Sequence, residues 1–246
     1  METYKLFANY YDELMQDVNY EEWFEYTEEI FSRFNKKPKT ILEMACGTGN
    51  LTYYLCRNGY NVTCFDASSD MLAIAYNKLF KFKNVNVLSQ NMVDFNIYEK
   101  FDAVLSICDS VNYITNKNDL YKTFVNVHNH LNDKGIFIFD INSYYKLKNI
   151  IGNNTFVDEN DNLFYAWQNE FDEEKNLSNF YLTFFIKNKD NKYIRFDEEH
   201  VERAYTILEV RELLKEANFN DIVCYEDFTF NKPRDKSERI HFIAHK

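Results

Sequence analysis

The apolar strand Thr40-Ile41-Leu42-Glu43-Met44 runs directly into Ala45-Cys46-Gly47-Thr48-Gly49-Asn50, and Leu51, Tyr54 and Leu55 follow at helical spacing as far as Gly59. A strand that turns through small residues into a helix opens a parallel sheet, because the helix must cross back before the next strand can pair. The segments that follow keep this cadence. Val62 to Asp66 reads as a second strand, Ser68 caps a helix carrying Leu72, Ala75 and Leu79, and Val85 to Leu88 is a third strand. Ala103 to Ile107 and the run GIFIFD, Gly135 to Asp140, are nearly all apolar, as expected of strands buried on both faces. Leu120, Phe124, Val127 and Leu131 place an amphipathic helix between them. The fold class is α/β, an open sheet with right-handed crossovers.

Both flanks depart from this rhythm. Residues 1–35 read as two helices, one with Phe7, Tyr10, Tyr11 and Leu14 on a stripe, the other capped by Asn19 and carrying Trp23, Phe24, Ile30 and Phe34. Pro38 separates them from the sheet. From about Thr155 to Ala204 the helical period disappears, and Leu163–Phe171 and Leu177–Lys187 read as a hairpin around Asp172-Glu173-Glu174-Lys175-Asn176. A second turn is expected at Asp190-Asn191-Lys192, and the acidic run Asp197-Glu198-Glu199 reads as a solvated turn. The α/β pattern then resumes. Thr206 and Glu209 form a capping box, Val210, Leu213, Leu214 and Ala217 a helix face, and Ile222–Tyr225 and Ile240–Ala244 two closing strands. The expected organisation is one domain, 1–143 with 205–246, carrying an inserted β cap at 144–204 over the active site.

Composition narrows the chemistry. A chain of 246 residues with 19 Tyr and 23 Phe can bury roughly 73% of its unfolded surface without disulfide or metal staples. Against 28 basic residues stand 39 acidic ones, a net charge of -11, which disfavours nucleic acid and anionic membranes as partners. The five cysteines are an odd number without a C-x-x-C pair, and the five histidines show no ligand spacing, so no metal is expected. With no apolar run of about 18 residues and no basic, apolar leader, the expected location is the cytoplasm.

In an open α/β sheet, ligands bind beyond the carboxyl ends of the strands. Glu43, Ala45, Cys46, Gly47 and Gly49 follow the first strand, Asp66 and Ala67 the second, and Asn91 and Met92 the third. Cys108-Asp109-Ser110 with Asn112 and Tyr113 follow the fourth, and Asp140 and Asn142 the fifth. A glycine loop with a downstream acid suits either a nicotinamide dinucleotide or S-adenosylmethionine. Thr52 stands where the dinucleotide fingerprint needs its third glycine, and Glu43 would repel a pyrophosphate yet tolerate a sulfonium and an ammonium. The balance favours S-adenosylmethionine.

Ile41 to Asn50 resembles the first motif of the class I S-adenosylmethionine-dependent methyltransferases. Phe65-Asp66-Ala67-Ser68, Gln90-Asn91-Met92 and Leu131-x-x-x-Gly135 resemble the later motifs in order, and Tyr10-Tyr11-Asp12-Glu13-Leu14-Met15 resembles a leader of the bacterial small-molecule members. The resemblance implies a Rossmann-like seven-stranded sheet of order 3-2-1-4-5-7-6 with an antiparallel last strand. It also implies Glu43, Ala45 and Gly47 at the methionine moiety, Asp66 on the ribose, Asn91 and Met92 at the adenine, and Asp109 near the amino end. Tyr11 joins the site through the leader, and Met71 faces either helix packing or the adenine. Ala45 replaces a glycine, which is tolerable at negative φ, and Asn91 replaces an acid whose bond to the adenine amine its side-chain oxygen could accept.

The expected reaction is in-line transfer of methyl to nitrogen or oxygen of a small molecule. Asp109, Tyr113 and Asn142 are the candidate catalytic residues. Phe164, Tyr165, Trp167, Phe180, Tyr181 and Phe184 would roof the pocket, and aromatic faces suit an amine or amino sugar. The alternatives are an RNA or protein acceptor, which would want a cluster of Lys and Arg on the pocket rim where the chain offers only scattered basics such as Lys78, Lys81 and Lys83, and an NAD-dependent oxidoreductase.

Overall fold

The computed structural model describes residues 3–159, 162–188 and 190–246, with the side chains of 3–7 and 9 left aside. Phe7, the first position of the N-terminal stripe, therefore lies outside the described side chains. The chain begins with α1 (Thr3–Leu14) and α2 (Tyr20–Arg33), the second capped by Asn19 through the Glu22 N–H. There follow β1 (Thr40–Met44), α3 (Asn50–Arg57), β2 (Asn61–Asp66), α4 (Ser69–Leu79), β3 (Val85–Ser89), β4 (Phe101–Ser106), α5 (Lys117–His130) and β5 (Leu131–Asn142). A four-stranded antiparallel sheet, β6 (Thr155–Glu159), β7 (Leu163–Asp172), β8 (Leu177–Lys187) and β9 (Tyr193–Arg203), comes next. The chain ends with α6 (Ile207–Glu216), β10 (Asn220–Glu226) and β11 (Arg239–His245).

The main sheet has the order β3-β2-β1-β4-β5-β11-β10, in which β11 runs antiparallel to both neighbours. This is the expected 3-2-1-4-5-7-6 arrangement. Alternation along its strands supplies two cores. Leu42, Val104, Phe137 and Phe139 face α5 and α6, while Ile41, Cys64, Leu105 and Ile138 face α2, α3 and α4. Covering both faces explains why these strands read as unbroken apolar runs. Gly49 sits at φ +79 before α3, and a Cβ there would lie 3.0 Å from Leu79 Cδ1 and 3.3 Å from Ala75 Cβ. Glycine thus serves both the left-handed turn and the close approach of α4.

Asn112 ties the second sheet to the first. It is fully buried in a short turn after β4, and its amide nitrogen donates to Asn142 O (3.2 Å) and Arg203 O (2.9 Å). Its side-chain oxygen accepts the Asn142 N–H at 3.0 Å. One side chain therefore holds the residue where the insertion leaves β5 and the residue where β9 ends. Between β5 and β6 the chain makes a single wide helical turn, Lys146–Ile151, in a stretch read from sequence as β structure.

Two further expectations change. Phe164 and Tyr181 lie on the face of the second sheet opposite Tyr165, Trp167, Phe180 and Phe184, as strand alternation requires, so the roof has four of the six aromatics. The acidic run at 197–199 is the middle of β9 rather than a turn. Asp197 bonds Arg195 and Thr183 outside, while Glu198 is buried on the inner face.

Candidate active site

Above the carboxyl ends of β1, β2, β4 and β5 lies a cavity of about 1060 Å³, walled by α1 and roofed by the inner face of the second sheet. A volume near the upper end of small-molecule sites leaves room for a cofactor and a small acceptor together. The candidate catalytic and cofactor-binding residues all line this cavity except Gly49, whose place is behind the loop against α4.

The loop end is built from backbone and acid. Asp66, at the end of β2, accepts the Gly47 N–H at 2.9 Å and the Ser68 N–H at 2.8 Å, so the carboxylate fixes the glycine loop to the neighbouring turn. Ala45 stands at φ +52, not the negative value expected of an alanine there. The left-handed turn costs an alanine roughly 1–2 kcal/mol, and the next residue is held at both its backbone groups, Cys46 N–H to Phe65 O and Gly49 N–H to Cys46 O, both at 2.9 Å. The Cys46 thiol is raised well above its ordinary value, first by its hydrogen bond to Cys64 and then by burial, so it stays a neutral thiol. Asn91 spends one lone pair of its side-chain oxygen on the Val93 N–H (2.9 Å), an Asx turn that leaves the other lone pair for a ligand.

Helix α1 closes this end. Asp12 accepts from Thr48 Oγ1 (2.6 Å) and Asn50 Nδ2 (3.0 Å) and pairs with Lys78 Nζ (2.8 Å), which binds α1 to the loop and to α4. Tyr11 reaches over Gly47, where an added Cβ would meet its Cε1 at 4.0 Å, and burial pushes its hydroxyl up.

The opposite end is polar and buried. Asp109 stands at φ +53, its carboxylate 2.9 Å from Arg239 Nη1, and its N–H donates to Asp140 Oδ2 at 3.0 Å. Arg239 also pairs with Asp140 and lies 5.4 Å over the Trp23 ring. Asn142 donates to Glu202 Oε2 (3.1 Å) and accepts from Lys146 Nζ (2.9 Å), so its amide is already engaged at both ends. Tyr113 meets the His200 ring edge-on at 5.9 Å.

Comparison with known proteins decides what this cavity belongs to. A methyltransferase domain family matches residues 41–135. YqeM of Bacillus subtilis (strain 168), named as a methyltransferase, is 36% identical over 245 residues, 99% of this chain and 97% of that protein. The chain belongs to the class I S-adenosylmethionine-dependent methyltransferases. A S-adenosylmethionine-dependent methyltransferase from Clostridium acetobutylicum ATCC 824 superposes with a TM-score of 0.89 at 39% identity, each chain covered to 98%. The glycine/sarcosine N-methyltransferase of Aphanothece halophytica is 26% identical over 211 residues, 85% of this chain and 76% of that enzyme.

The charges of the methyltransferase site suit its cofactor. Glu43 is 2% exposed, accepts from Thr52 Oγ1 at 2.6 Å, and has no lysine or arginine in ion-pair range among the described residues. Burial, with the nearby Asp66 adding and the Thr52 bond opposing, pushes its carboxyl up to about 8. A sulfonium and an ammonium would restore the missing positive charge, whereas a pyrophosphate would not. Because the folded-state value lies above the unfolded one, the stability this group contributes is complete in acid and is lost as pH rises through about 8. Glu43→Gln therefore unfolds at a higher midpoint than the parent near pH 9 and shows no such gain near pH 5, while binding S-adenosylmethionine more weakly. Melting curves at the two pH values with and without cofactor check both halves; a gain independent of pH would mean that the carboxylate carries no such burden.

Glu202, His200, Lys146 and Arg239 also line the cavity and were not named from the sequence. The available signal was the alternation Phe196-x-Glu198-x-His200-x-Glu202, a strand with polar residues facing inward.

Proposed function

We propose that this chain transfers methyl from S-adenosylmethionine to the nitrogen of a small amine, an amino acid or amino sugar being the fitting size. The observation that carries the reading is the closed acceptor end. Phe180 roofs it with Trp167 and Tyr165 farther along the same face, and Asp109 and Glu202 line it from opposite sheets. Aromatic faces and acids together attract a cation and repel polyanions. The similarity to a glycine/sarcosine N-methyltransferase, whose name gives an amine acceptor, points the same way.

When bound, the cofactor supplies an already activated methyl group. Asp66 holds the ribose diol, Asn91 and Met92 flank the adenine, and Glu43 faces the cationic methionine end. Tyr11, carried by α1, excludes water above Gly47. Asp109 orients the acceptor through its place beside Arg239, and Tyr113 closes the side wall. Positioning of this kind supplies much of the rate, up to about 7–11 kcal/mol when the reacting atoms are aligned. Asn142 acts by holding Glu202 and Lys146, not by touching the acceptor.

The reading is checked by incubating the protein with methyl-labelled S-adenosylmethionine and, separately, a small-metabolite extract, total RNA and ribosomal protein. Label in the small-molecule fraction alone is the expected result. Label in RNA or protein with none in the metabolites would move the acceptor to a macromolecule.

A further inference from the structure

The acceptor end of the cavity has more negative charge than its surroundings balance. Glu202 is 2% exposed on the inner face of β9, and the charged groups around it come from four elements. They are Asp109 after β4, Asp140 on β5, Lys146 on the turn that follows, and Arg239 on β11. Arg239 is spent on Asp109 and Asp140, while Lys146 donates to Asn142 rather than to Glu202. Three carboxylates face two cations. Glu202 itself receives one hydrogen bond, from a neutral amide, and His200 lies two residues before it on the same face. A buried carboxylate with a neutral partner is costly unless something positive joins it.

The roof beside Glu202 is aromatic, with Phe180 and, farther off, Trp167 lining the cavity. Cross-strand register sets the order of the inner face. Trp167, Leu182 and Glu198 form one row, Asn169, Phe180 and His200 the next, and Phe171, Ser178 and Glu202 the third. A molecule beside Glu202 thus lies one row from Phe180 and two from Trp167. Adjacent same-face residues on a strand are about 7 Å apart, so a small amine beside Glu202 reaches the Phe180 row, while Trp167 lies beyond it in the farther part of the roof.

Building on the amine reading above, we propose that Glu202 is the acceptor anchor. Its carboxylate, held by Asn142, binds a small primary or secondary amine as the ammonium and takes the proton that must leave nitrogen before methylation. One proton passes from the ammonium nitrogen to a Glu202 oxygen. The freed lone pair forms the new N–C bond as the C–S bond breaks with its electrons remaining on sulfur. The proton on Glu202 goes to water as the methylated ammonium departs, so charge and atoms balance. Burial, reinforced by Asp109, raises the Glu202 carboxyl well above the ordinary range, which makes it a stronger proton acceptor than a surface glutamate.

The test compares the parent protein with Glu202→Gln and Glu202→Asp. Binding of S-adenosylhomocysteine is measured first by calorimetry. The complexes are then titrated with ethanolamine, glycine, sarcosine and D-glucosamine, and with ethylene glycol and D-glucose as hydroxyl counterparts, in two buffers of different ionisation enthalpy to count protons. Methyl transfer is followed on the same panel. All three proteins bind S-adenosylhomocysteine alike, which shows that they are folded and separates this inference from the cofactor reading. The parent binds and methylates at least one amine and neither hydroxyl counterpart. Glu202→Gln loses about 100-fold or more in kcat/KM and its buffer-dependent proton count, and Glu202→Asp recovers part of both. Failure of every protein to bind S-adenosylhomocysteine overturns the methyltransferase site itself. Unchanged amine kinetics in Glu202→Gln, no amine bound by the parent, or equal use of glycol and amine overturns the role of Glu202.

Discussion

Asp66→Ala leaves the protein with no thermal response to S-adenosylhomocysteine. In the parent, ligand at about 100 times its dissociation constant adds about 2.7 kcal/mol, which moves the midpoint of a chain this long by roughly 5–10 °C. Two losses combine in the variant. The proposed acceptor for the ribose diol disappears, and the Gly47 and Ser68 N–H groups lose their shared partner. The second loss loosens the loop itself, because Ala45 holds a left-handed angle that its surroundings maintain. The ligand-free variant is accordingly less stable by about 1–3 kcal/mol. Midpoints of both proteins with and without ligand separate the two effects. A variant that keeps the full ligand shift would show that the ribose is held elsewhere and that Asp66 only braces the loop.

The sheet was legible because its strands are buried on both faces and its helices carry their own caps. Asn19, Ser68, Thr206 and Glu209 cap the elements expected of them, and the strand order follows from the resemblance of the loops. The cofactor end was legible for a related reason. Its residues lie at the ends of consecutive strands, so position in the chain already gives position in space. The acceptor end is different. It joins Asp109, Asn142, Glu202 and Arg239, which come from four distant stretches; sheet pairing sets Arg239 opposite Asn142, and Asn112 ties Asn142 to Arg203 at the end of the insertion. The alternation from Phe196 to Glu202 is compatible with a strand, but nothing local says that its acidic face is the buried one, since that depends on what covers the sheet. The sign of φ at Ala45 was equally hidden, being set by bonds to Phe65 O and from Gly49 rather than by the alanine.

These two ends also differ in how they manage charge. Around Glu43 there is acid and no base among the described residues, a deficit that the proposed cationic end of the cofactor would remove on binding. Around Asp140 the structure supplies its own cation in Arg239, and only Glu202 remains to be answered from outside. With Arg239 and Lys146 set against Asp109, Asp140 and Glu202, this end lacks one positive charge, which is the charge the proposed amine would bring.

Arg239→Met consequently has the largest expected effect on stability. The guanidinium is mostly buried, and it bridges Asp109 and the fully buried Asp140, whose second oxygen has no partner among the described residues. Methionine keeps most of the packing over Trp23 but leaves two carboxylates facing each other. Removing one member of such a pair costs about 3–5 kcal/mol, which lowers the midpoint by roughly 6–20 °C. Burial already holds Asp140 above the ordinary carboxylate range, with Arg239 opposing and Asp109 adding. Without Arg239 the folded-state value moves further up. A raised carboxyl contributes its stability below the unfolded value and loses it as pH climbs through the folded one, so the deficit of the variant is smallest in acid and widens toward neutral pH. Asp140→Asn in the same background removes the stranded charge and recovers most of the loss at neutral pH, with little effect near pH 4. Melting curves of the parent, the single variant and the double variant across that range give the answer. A deficit that does not change with pH, or one that Asp140→Asn fails to repair, would mean that Arg239 matters for its packing against Trp23 and not as the internal counter-charge.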